Sequence, residues 1–161
     1  MAQTSRVSTC LWFNSEAEEA AKFYVSLVPN SRITGLSRYD KGAPSLEGTV
    51  LTVTFELDGT PFIALNGGPI FPQTEAASVV VRCDTQAEIN RLWNALTADG
   101  GKESQCGWLK DKYGVSWQIV YSRIWEMIQD DDRAKVDRTL AAVREMVKLD
   151  IAKLDAAYKG E

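Results

Sequence analysis

The 161-residue sequence contains no histidine. This absence excludes a Ser-His-Asp triad, a Cys-His pair, a histidine general base and any metal site that depends on imidazole ligands. Chemistry by carboxylate, thiol, phenol, lysine or arginine side chains stays open, as does binding without reaction.

Cysteine, clustered basic charge and long apolar runs are also scarce. The three cysteines, Cys10, Cys83 and Cys106, have no CxxC spacing, which favours reduced thiols in a cytoplasmic protein. A net charge of -4 with scattered lysines and arginines argues against a nucleic-acid partner. Residues 1–7 do not resemble a signal peptide, and no apolar run reaches the roughly 18 residues of a membrane span. We expect neither nucleic-acid nor membrane binding.

Length and composition are those of one globular domain. Hydrophobic residues make up 45% of the sequence and charged residues 25%, a mixture typical of a soluble protein with a packed core. A chain of 161 residues is long enough for one compact domain and short for two.

A strand followed by a helix is predicted twice. The strands fall at residues 7–13 and 79–83. Each is followed by a capping-box pattern and then by apolar residues at helical spacing. The boxes are Ser15 with Glu18 and Thr85 with Glu88; the apolar stripes are Ala20, Phe23, Tyr24 and Leu27, and Ile89, Leu92, Trp93 and Leu96. The repetition indicates an internal duplication, although a chance repeat of so common a motif stays open.

Strand-like segments follow each predicted helix. They cover residues 31–39, 49–57 and 61–66 in the first half and residues 108–112 and 115–121 in the second. Asp58-Gly59 is a hairpin-turn signal between two of them. Residues 51–57 alternate between apolar and polar side chains, as expected of a strand with one buried face. The combined pattern predicts an α+β fold.

The C-terminal part differs, because no strand pattern remains after residue 122. A short helix is predicted over residues 124–128, and a longer one begins near residues 130–132, whose three aspartates suit a helix N-terminus. Apolar residues then recur at steps of three and four as far as Tyr158; one continuous helix of this length would measure roughly 40 Å. Two interpretations stay open: this stripe covers the protein's own sheet, or it crosses a dimer interface.

Four segments resemble one protein family, in the same order along the chain. They are residues 11–24, 64–68, 105–119 and 146–158. They resemble the PhnB-like branch of the vicinal-oxygen-chelate (glyoxalase/bleomycin-resistance) superfamily, a branch labelled 3-demethylubiquinone-9 3-methyltransferase. The resemblance implies paired βαβββ modules that form a cupped antiparallel sheet, commonly in a homodimer. It implies a single domain over residues 1–161, with modules at about 5–70 and 76–121 and a helical extension at about 122–161.

The same resemblance identifies the positions that hold metal in metal-dependent relatives. They correspond to Thr9, approximately Ala64, Ser78 and Gln118 in this sequence. This set has no carboxylate and no imidazole, so it is poorly suited to hold a divalent cation against water. We therefore expect no metal and no cofactor. The methyltransferase label has little support from the sequence, because no GxGxxG fingerprint follows a predicted strand.

The polar faces of the alternating strands are the predicted ligand cavity, provided that the apolar faces pack on the helices. A merely solvated sheet face is the alternative. Glu56 is the candidate catalytic base, and Arg82 is a candidate partner for an anionic ligand; the two side chains pairing with each other is a further possibility. The complete predicted cavity comprises Thr9, Thr52, Thr54, Glu56, Ala64, Ser78, Arg82, Ser116 and Gln118.

The cysteines are interpreted by their strand positions. Cys10 and Cys83 are assigned to the helix-facing side of their strands, hence to the core. Cys106 lies outside any apolar run with Lys110 as its nearest cation, but no histidine is present to act as its base. A structural thiol is therefore favoured over a nucleophile.

Three functions remain open. The first is a metal-free, dimeric cytoplasmic protein that binds a small organic or anionic molecule. The second is an enzyme of the superfamily that acts through Glu56, Arg82 or an imported metal. The third is an interaction protein whose helical tail recruits a partner.

Overall fold

The computed structural model describes residues 5–161, and these form two compact units. The first unit ends at Gln73, and the second is Thr74–Glu161. Residues 1–4, which belong to the segment predicted to lack a signal peptide, lie outside the described residues.

The first unit is a four-stranded sheet with one helix packed against it. Its strand order is β1-β4-β3-β2; β1 runs parallel to β4, and the other neighbours are antiparallel. The sheet is therefore mixed and not purely antiparallel. Its elements are β1 (Thr9–Phe13), α1 (Ala17–Leu27), β2 (Arg32–Arg38), β3 (Val50–Leu57) and β4 (Thr60–Asn66).

The alternation predicted for β3 determines which side of this sheet is buried. Val53, Phe55 and Leu57 are buried. The Phe55 ring stacks on Phe62 with ring centroids 5.3 Å apart and also contacts Tyr24 of α1. Full burial of a large apolar side chain stabilises a protein by roughly 1.5–3 kcal/mol, so this face holds the helix on the sheet.

The second unit repeats this arrangement. Its sheet has the order β5-β8-β7-β6, again with the first strand parallel to the last, and α2 packs against β7 and β8. The edge strand β6 has only two residues, too few for a periodic pattern, and was not predicted. The elements are β5 (Val79–Cys83), α2 (Gln86–Thr97), β6 (Lys102–Glu103), β7 (Trp108–Lys110) and β8 (Ser116–Tyr121), with a 3-10 turn at Ala98–Gly100. Two βαβββ units confirm the α+β fold and the predicted repeat.

The two helices begin in different ways, and one predicted capping box is wrong. Thr85 and Glu88 form the complete box at α2. At α1 no side chain of the N-cap residue caps the helix, and Glu18 forms an ion pair with Lys22 instead. The Oδ1 atom of Asn66, at the end of β4, accepts the backbone N–H of Ala17 at 2.8 Å. A neighbouring strand thus supplies the cap, which sequence spacing within the helix cannot reveal.

The C-terminal tail consists of three helices and not of one long helix. They are α3 (Ile124–Ile128), α4 (Arg133–Arg144) and α5 (Ile151–Lys159). The chain breaks between α4 and α5 because the carbonyls of Met146 and Val147 accept the backbone N–H groups of Cys106 (2.7 Å) and Gly107 (2.8 Å). Asp150 then caps α5 through the N–H of Lys153.

The tail packs on its own unit. Val120 and Tyr121, at the end of β8, form a buried cluster with Ile124, Met127, Leu149 and Leu154. This packing accounts for much of the predicted apolar stripe, although Val147 is exposed. Within residues 5–161, no helix combines the length and the apolar character needed to cross a membrane.

Candidate functional site

The register of the strands shows which residues share the face of the first sheet that points away from α1, here called the helix-distal face. Thr52, Thr54 and Glu56 alternate with the buried side of β3 and therefore lie on this face, as predicted. Each of the three is only partly buried.

Side chains of the edge strand pair with all three of these residues. The carboxylate of Glu56 forms an ion pair with Arg32 at 3.0 Å. The side chain of Glu56 is 19% exposed, and that of Arg32 is 62% exposed. Thr34 donates to Thr54 at 2.9 Å, and the hydroxyls of Ser37 and Thr52 are 2.6 Å apart. Glu56 therefore has a charged structural partner within its own unit, Arg32.

Three face assignments of the first strand pair are corrected. Thr9 pairs with Phe62 and Leu11 with Ala64, so Thr9 and Ala64 lie on the helix side of the sheet. Ala64 is fully buried there. Cys10 lies on the helix-distal face and is exposed, so it is not a core residue. Residues 9–13 include four apolar or aromatic side chains in succession. Because such a run does not alternate between apolar and polar residues, it does not predict which side chains face the helix.

The corresponding face of the second sheet carries the other predicted residues. Ser116 and Gln118 alternate with the buried Trp117 and Ile119 of β8. The Nε2 atom of Gln118 donates to the Oγ of Ser78 at 2.9 Å, so these two predicted cavity residues are in contact. Arg82 pairs in register with Val120 and is exposed.

A cleft of about 640 Å³ opens on this second sheet. Its base includes Trp108, Lys110 and Ser116, and its wall is β6 with the segment that follows it, residues 102–106. Lys110 and Ser116 are direct partners across β7 and β8, so their side chains stand next to each other. A cleft of this size is within the range of small-molecule sites.

The cleft contains one ion pair and one buried hydroxyl that has no hydrogen-bond partner in the described chain. Lys110 forms an ion pair with Glu75 at 2.7 Å. Ser116 is 1% exposed, and within residues 5–161 its Oγ atom has no hydrogen-bond partner. A buried hydroxyl without a partner costs free energy, so Ser116 requires an explanation.

The turn between β7 and β8 holds Lys110 and Ser116 in place. Its centre is the buried carboxylate of Asp111, which accepts the backbone N–H groups of Tyr113 (2.9 Å) and Val115 (3.0 Å) and the indole N–H of Trp117 (2.9 Å). The floor of the cleft is therefore attached to a rigid polar turn.

The cysteines do not supply an activated nucleophile. Burial raises the pKa of the Cys83 thiol to about 11, in agreement with its predicted core position. Partial desolvation by its surroundings also raises the pKa of Cys10, although this residue is exposed. Cys106 lines the cleft with a positive φ of 60°, and its N–H is bonded to the tail, which gives this residue a structural role.

The predicted metal positions do not fit a metal ion. Ala64 offers no donor and, like Thr9, lies on the helix side of its sheet. In the repeat, Ile63 of β4 is the equivalent of Gln118 of β8. Each pairs with the second residue of the first strand of its unit, which is Cys10 in β1 and Val80 in β5. Within residues 5–161, histidine, cysteine and carboxylate side chains nowhere gather in a group of three or more that could hold a metal ion.

Two βαβββ units in one chain define the architecture of the vicinal-oxygen-chelate superfamily, and the comparisons with known proteins give the family. Residues 5–120 match the family model described as 3-demethylubiquinone-9 3-methyltransferase. A PhnB protein from Bacillus cereus, described by the same methyltransferase label, is 39% identical over 72% of this chain and 99% of its own, with a TM-score of 0.65. The chain belongs to this PhnB-like family.

More distant structures share only the fold. A Pseudomonas aeruginosa protein is 19% identical over 73% of this chain and 98% of its own, with a TM-score of 0.58. The fosfomycin resistance protein FosX from Listeria monocytogenes is 12% identical over 81% of this chain and 100% of its own, with a TM-score of 0.55. A comparison with curated proteins gave no match.

Lys110, Glu75 and Trp108 are cleft residues that sequence reasoning did not place in the site. For Lys110 and Trp108 a signal existed, because the predicted strand 108–112 has the apolar Leu109 between them. For Glu75 there was none, because it belongs to a loop whose position a sequence pattern does not determine.

Proposed function

We propose that this protein binds a small organic molecule without a metal, through the helix-distal faces of its sheets. The observation that carries the proposal is the cleft of about 640 Å³ that contains a buried hydroxyl, Ser116, with no partner in the described chain. A protein does not gain stability from such a group, whereas a ligand can supply the missing hydrogen bond. The polar surface extends along the same face through the Ser78–Gln118 pair.

The metal-free part of the proposal rests on the donor set. The residues that the resemblance aligns with metal ligands are Thr9, Ala64, Ser78 and Gln118, and the register gives Ile63 in place of Ala64 as the counterpart of Gln118. None of these residues is a carboxylate or an imidazole. Neutral oxygen donors of this kind bind divalent cations weakly.

A homodimer is part of the same proposal. Support comes from large apolar side chains that are exposed in each unit, such as Ile70 and Phe71 in the first and Val80 and Trp125 in the second. Exposed apolar surface of this kind marks sites of protein association.

Neither alternative has a specific observation in its favour. The ion pair of Glu56 with Arg32 gives this carboxylate a structural reason to be present, which weakens its case as a catalytic base. The tail buries its apolar residues against β8, which leaves less surface for an external partner. Methyl transfer lacks the support of a doubly wound parallel sheet, since both sheets are four-stranded and mixed.

Native mass spectrometry of freshly purified, untagged protein tests the proposal. The expected spectrum is that of a dimer without metal, and a small organic adduct that disappears on denaturation would give the mass of the ligand. A stoichiometric divalent metal would contradict the metal-free proposal. A monomer would contradict the dimer.

A further inference from the structure

We propose that the cleft of the second unit binds a small organic anion, and that Glu75 is a built-in competitor that occupies the anion's position on Lys110. This inference rests on the proposed function and adds the class of ligand and a means of self-inhibition. It follows from three observations on cleft residues: the ion pair, the unpartnered hydroxyl and the neighbouring indole.

The first observation is the unequal exposure of the ion pair. The side chain of Lys110 is 31% exposed, because it stands on β7 within the sheet. The side chain of Glu75 is 67% exposed and belongs to the loop before β5. The hydrogen bond from Lys110 lowers the pKa of Glu75, so its carboxylate is charged on this contact. The cation is thus a fixed part of the cleft, whereas its anion is attached to a surface loop.

The second observation is the position of Ser116. It is the direct cross-strand partner of Lys110, and its Oγ atom is buried and unpartnered. An anionic group held by Lys110 would therefore lie next to a hydroxyl that can donate to one of its oxygens. Movement of Glu75 away from Lys110 gives such a group access to this corner.

The third observation concerns the rest of the ligand. Trp108 lies on the same face of β7, two residues before Lys110, and also lines the cleft. Glu103, in the neighbouring strand β6, also lines the cleft and already accepts the indole N–H of Trp93 at 2.6 Å. The arrangement therefore suits a flat or apolar body against Trp108 with a single carboxylate or phosphonate directed at Lys110.

Displacement of Glu75 is energetically inexpensive. Ion pairs with one strongly exposed partner contribute little to stability, because water solvates the released charge. A ligand anion that also gains the Ser116 hydroxyl and the Trp108 surface offers contacts that Glu75 does not use in the described structure. Removal of the Glu75 charge should then strengthen anion binding, whereas for a purely structural ion pair it should not.

Titration with benzoate, followed by the amide NMR shifts of Lys110 and Ser116, tests this proposal. Glu75→Gln is expected to tighten benzoate binding about two- to fivefold, because the free energy of an exposed ion pair corresponds to a change in affinity of that size. Glu126→Gln is the matched control. It removes the same charge from a Glu of similar exposure (63%) that is paired with Arg123 in the same unit, and it should leave affinity within about twofold.

Two further variants locate the contact. Lys110→Gln should weaken benzoate binding about tenfold or more, because it removes the charge-assisted hydrogen bond from the lysine to the ligand's carboxylate. Ser116→Ala should weaken binding without lowering the urea midpoint of unfolding, because the lost hydroxyl has no partner in the free protein. Benzamide, the neutral analogue, should bind more weakly and respond to neither Glu75→Gln nor Glu126→Gln.

Equal affinities of the Glu75→Gln and Glu126→Gln proteins would overturn the competitor role of Glu75. Unchanged binding in Lys110→Gln would overturn the site itself. Both results are independent of the native mass spectrum. An organic adduct without benzoate binding would overturn this inference and leave the proposed function standing. Benzoate binding in a protein that carries metal would support the anion site and contradict only the metal-free part of the proposed function.

Discussion

The two units have the same strand order but differ in the length of the edge strand. In the first unit β2 has seven residues, and its side chains pair with Thr52, Thr54 and Glu56 along β3. In the second unit β6 has two residues, and β6 and the residues that follow it line the cleft. The edge strand of the first unit therefore pairs the polar residues of β3, whereas in the second unit the buried Oγ atom of Ser116 has no partner in the described chain. The length of the edge strand thus distinguishes the proposed binding face of the second unit from the same face of the first.

The units also differ in how the first helix of each repeat is capped. Asn66 and Tyr121 occupy equivalent places, because they pair with the last residues of β1 and β5, Phe13 and Cys83. Asn66 accepts the N–H of Ala17 and donates to the carbonyl of Val50. Tyr121 belongs to the buried cluster with the tail. Asn66 of β4 therefore caps α1, whereas its equivalent in β8, Tyr121, packs in the apolar cluster. The N-terminus of α2 is capped instead by its own capping box.

The largest predicted effect concerns the turn between the third and fourth strands of each unit. Asp111→Ala leaves three donors without their buried acceptor and should lower the free energy of unfolding by about 3 kcal/mol or more. Asp58→Ala, in the equivalent exposed turn of the first unit, removes an exposed side chain that accepts one hydrogen bond, from Nδ2 of Asn30 at 3.2 Å, and that tolerates a φ of 45°. This change should cost about 1–2 kcal/mol.

Urea unfolding of both variants, followed by tryptophan fluorescence, measures this difference. Asp111→Asn is the informative control, because it keeps one oxygen acceptor and should fall between wild type and Asp111→Ala. Similar losses for Asp58→Ala and Asp111→Ala would show that the buried carboxylate is not what distinguishes the two turns.

The secondary structure could be predicted correctly where the pattern that specifies it lies within a short stretch of sequence. The alternation in residues 51–57 and the Asp58-Gly59 signal gave β3 and its hairpin, and the box at Thr85 gave the start of α2. The errors arose from long-range contacts: Asn66 replaced the predicted Ser15 cap, and backbone bonds from Cys106 and Gly107 broke the expected long tail helix. No spacing within a helix contains this information.

An intermediate effect is expected from the two helix caps. Asn66→Ala removes a buried cap and a second hydrogen bond, so it should cost about 2–3 kcal/mol. Thr85→Ala removes an exposed cap and should cost about 1 kcal/mol. Urea unfolding of the two single variants measures both losses. If Thr85→Ala were the more damaging change, the tertiary cap would not be the stronger of the two.

The sheet face of each candidate site residue was predictable only where strands alternate. Thr52, Thr54, Glu56, Ser116 and Gln118 have apolar neighbours that define their face, and the register agrees with each assignment. Thr9 directly precedes, and Ala64 lies within, a run of apolar residues, where a shift of one residue reverses the face without changing the pattern. The cleft depends on the shortness of β6 and on Glu75 in a loop, and neither property leaves a periodic signal.

The smallest predicted effect concerns the tail, which only the second unit has. The hydroxyl of Tyr158 in α5 donates to the carboxylate of Asp130 ahead of α4, and Lys135 is 3.6 Å from the same carboxylate. This contact lowers the pKa of Asp130 and raises the pKa of Tyr158. Both side chains are only partly buried, so water still screens the contact and its contribution to stability is small.

The two shifts predict losses at opposite ends of the pH range. Because the pKa of Asp130 is lower in the folded protein than in the unfolded chain, its contribution is complete above the unfolded value and disappears as the pH falls through the folded one. Because the pKa of Tyr158 is raised, its contribution is complete below its unfolded value, about 10, and disappears at higher pH. Tyr158→Phe should therefore lower the urea midpoint slightly at pH 7 and reduce the midpoint's fall towards both pH extremes. Asp131→Asn, which changes the adjacent exposed aspartate, is the matched control. If Tyr158→Phe had the same pH profile as wild type, the tail would be held by its apolar cluster alone, and this polar contact would add nothing to the stability of the second unit.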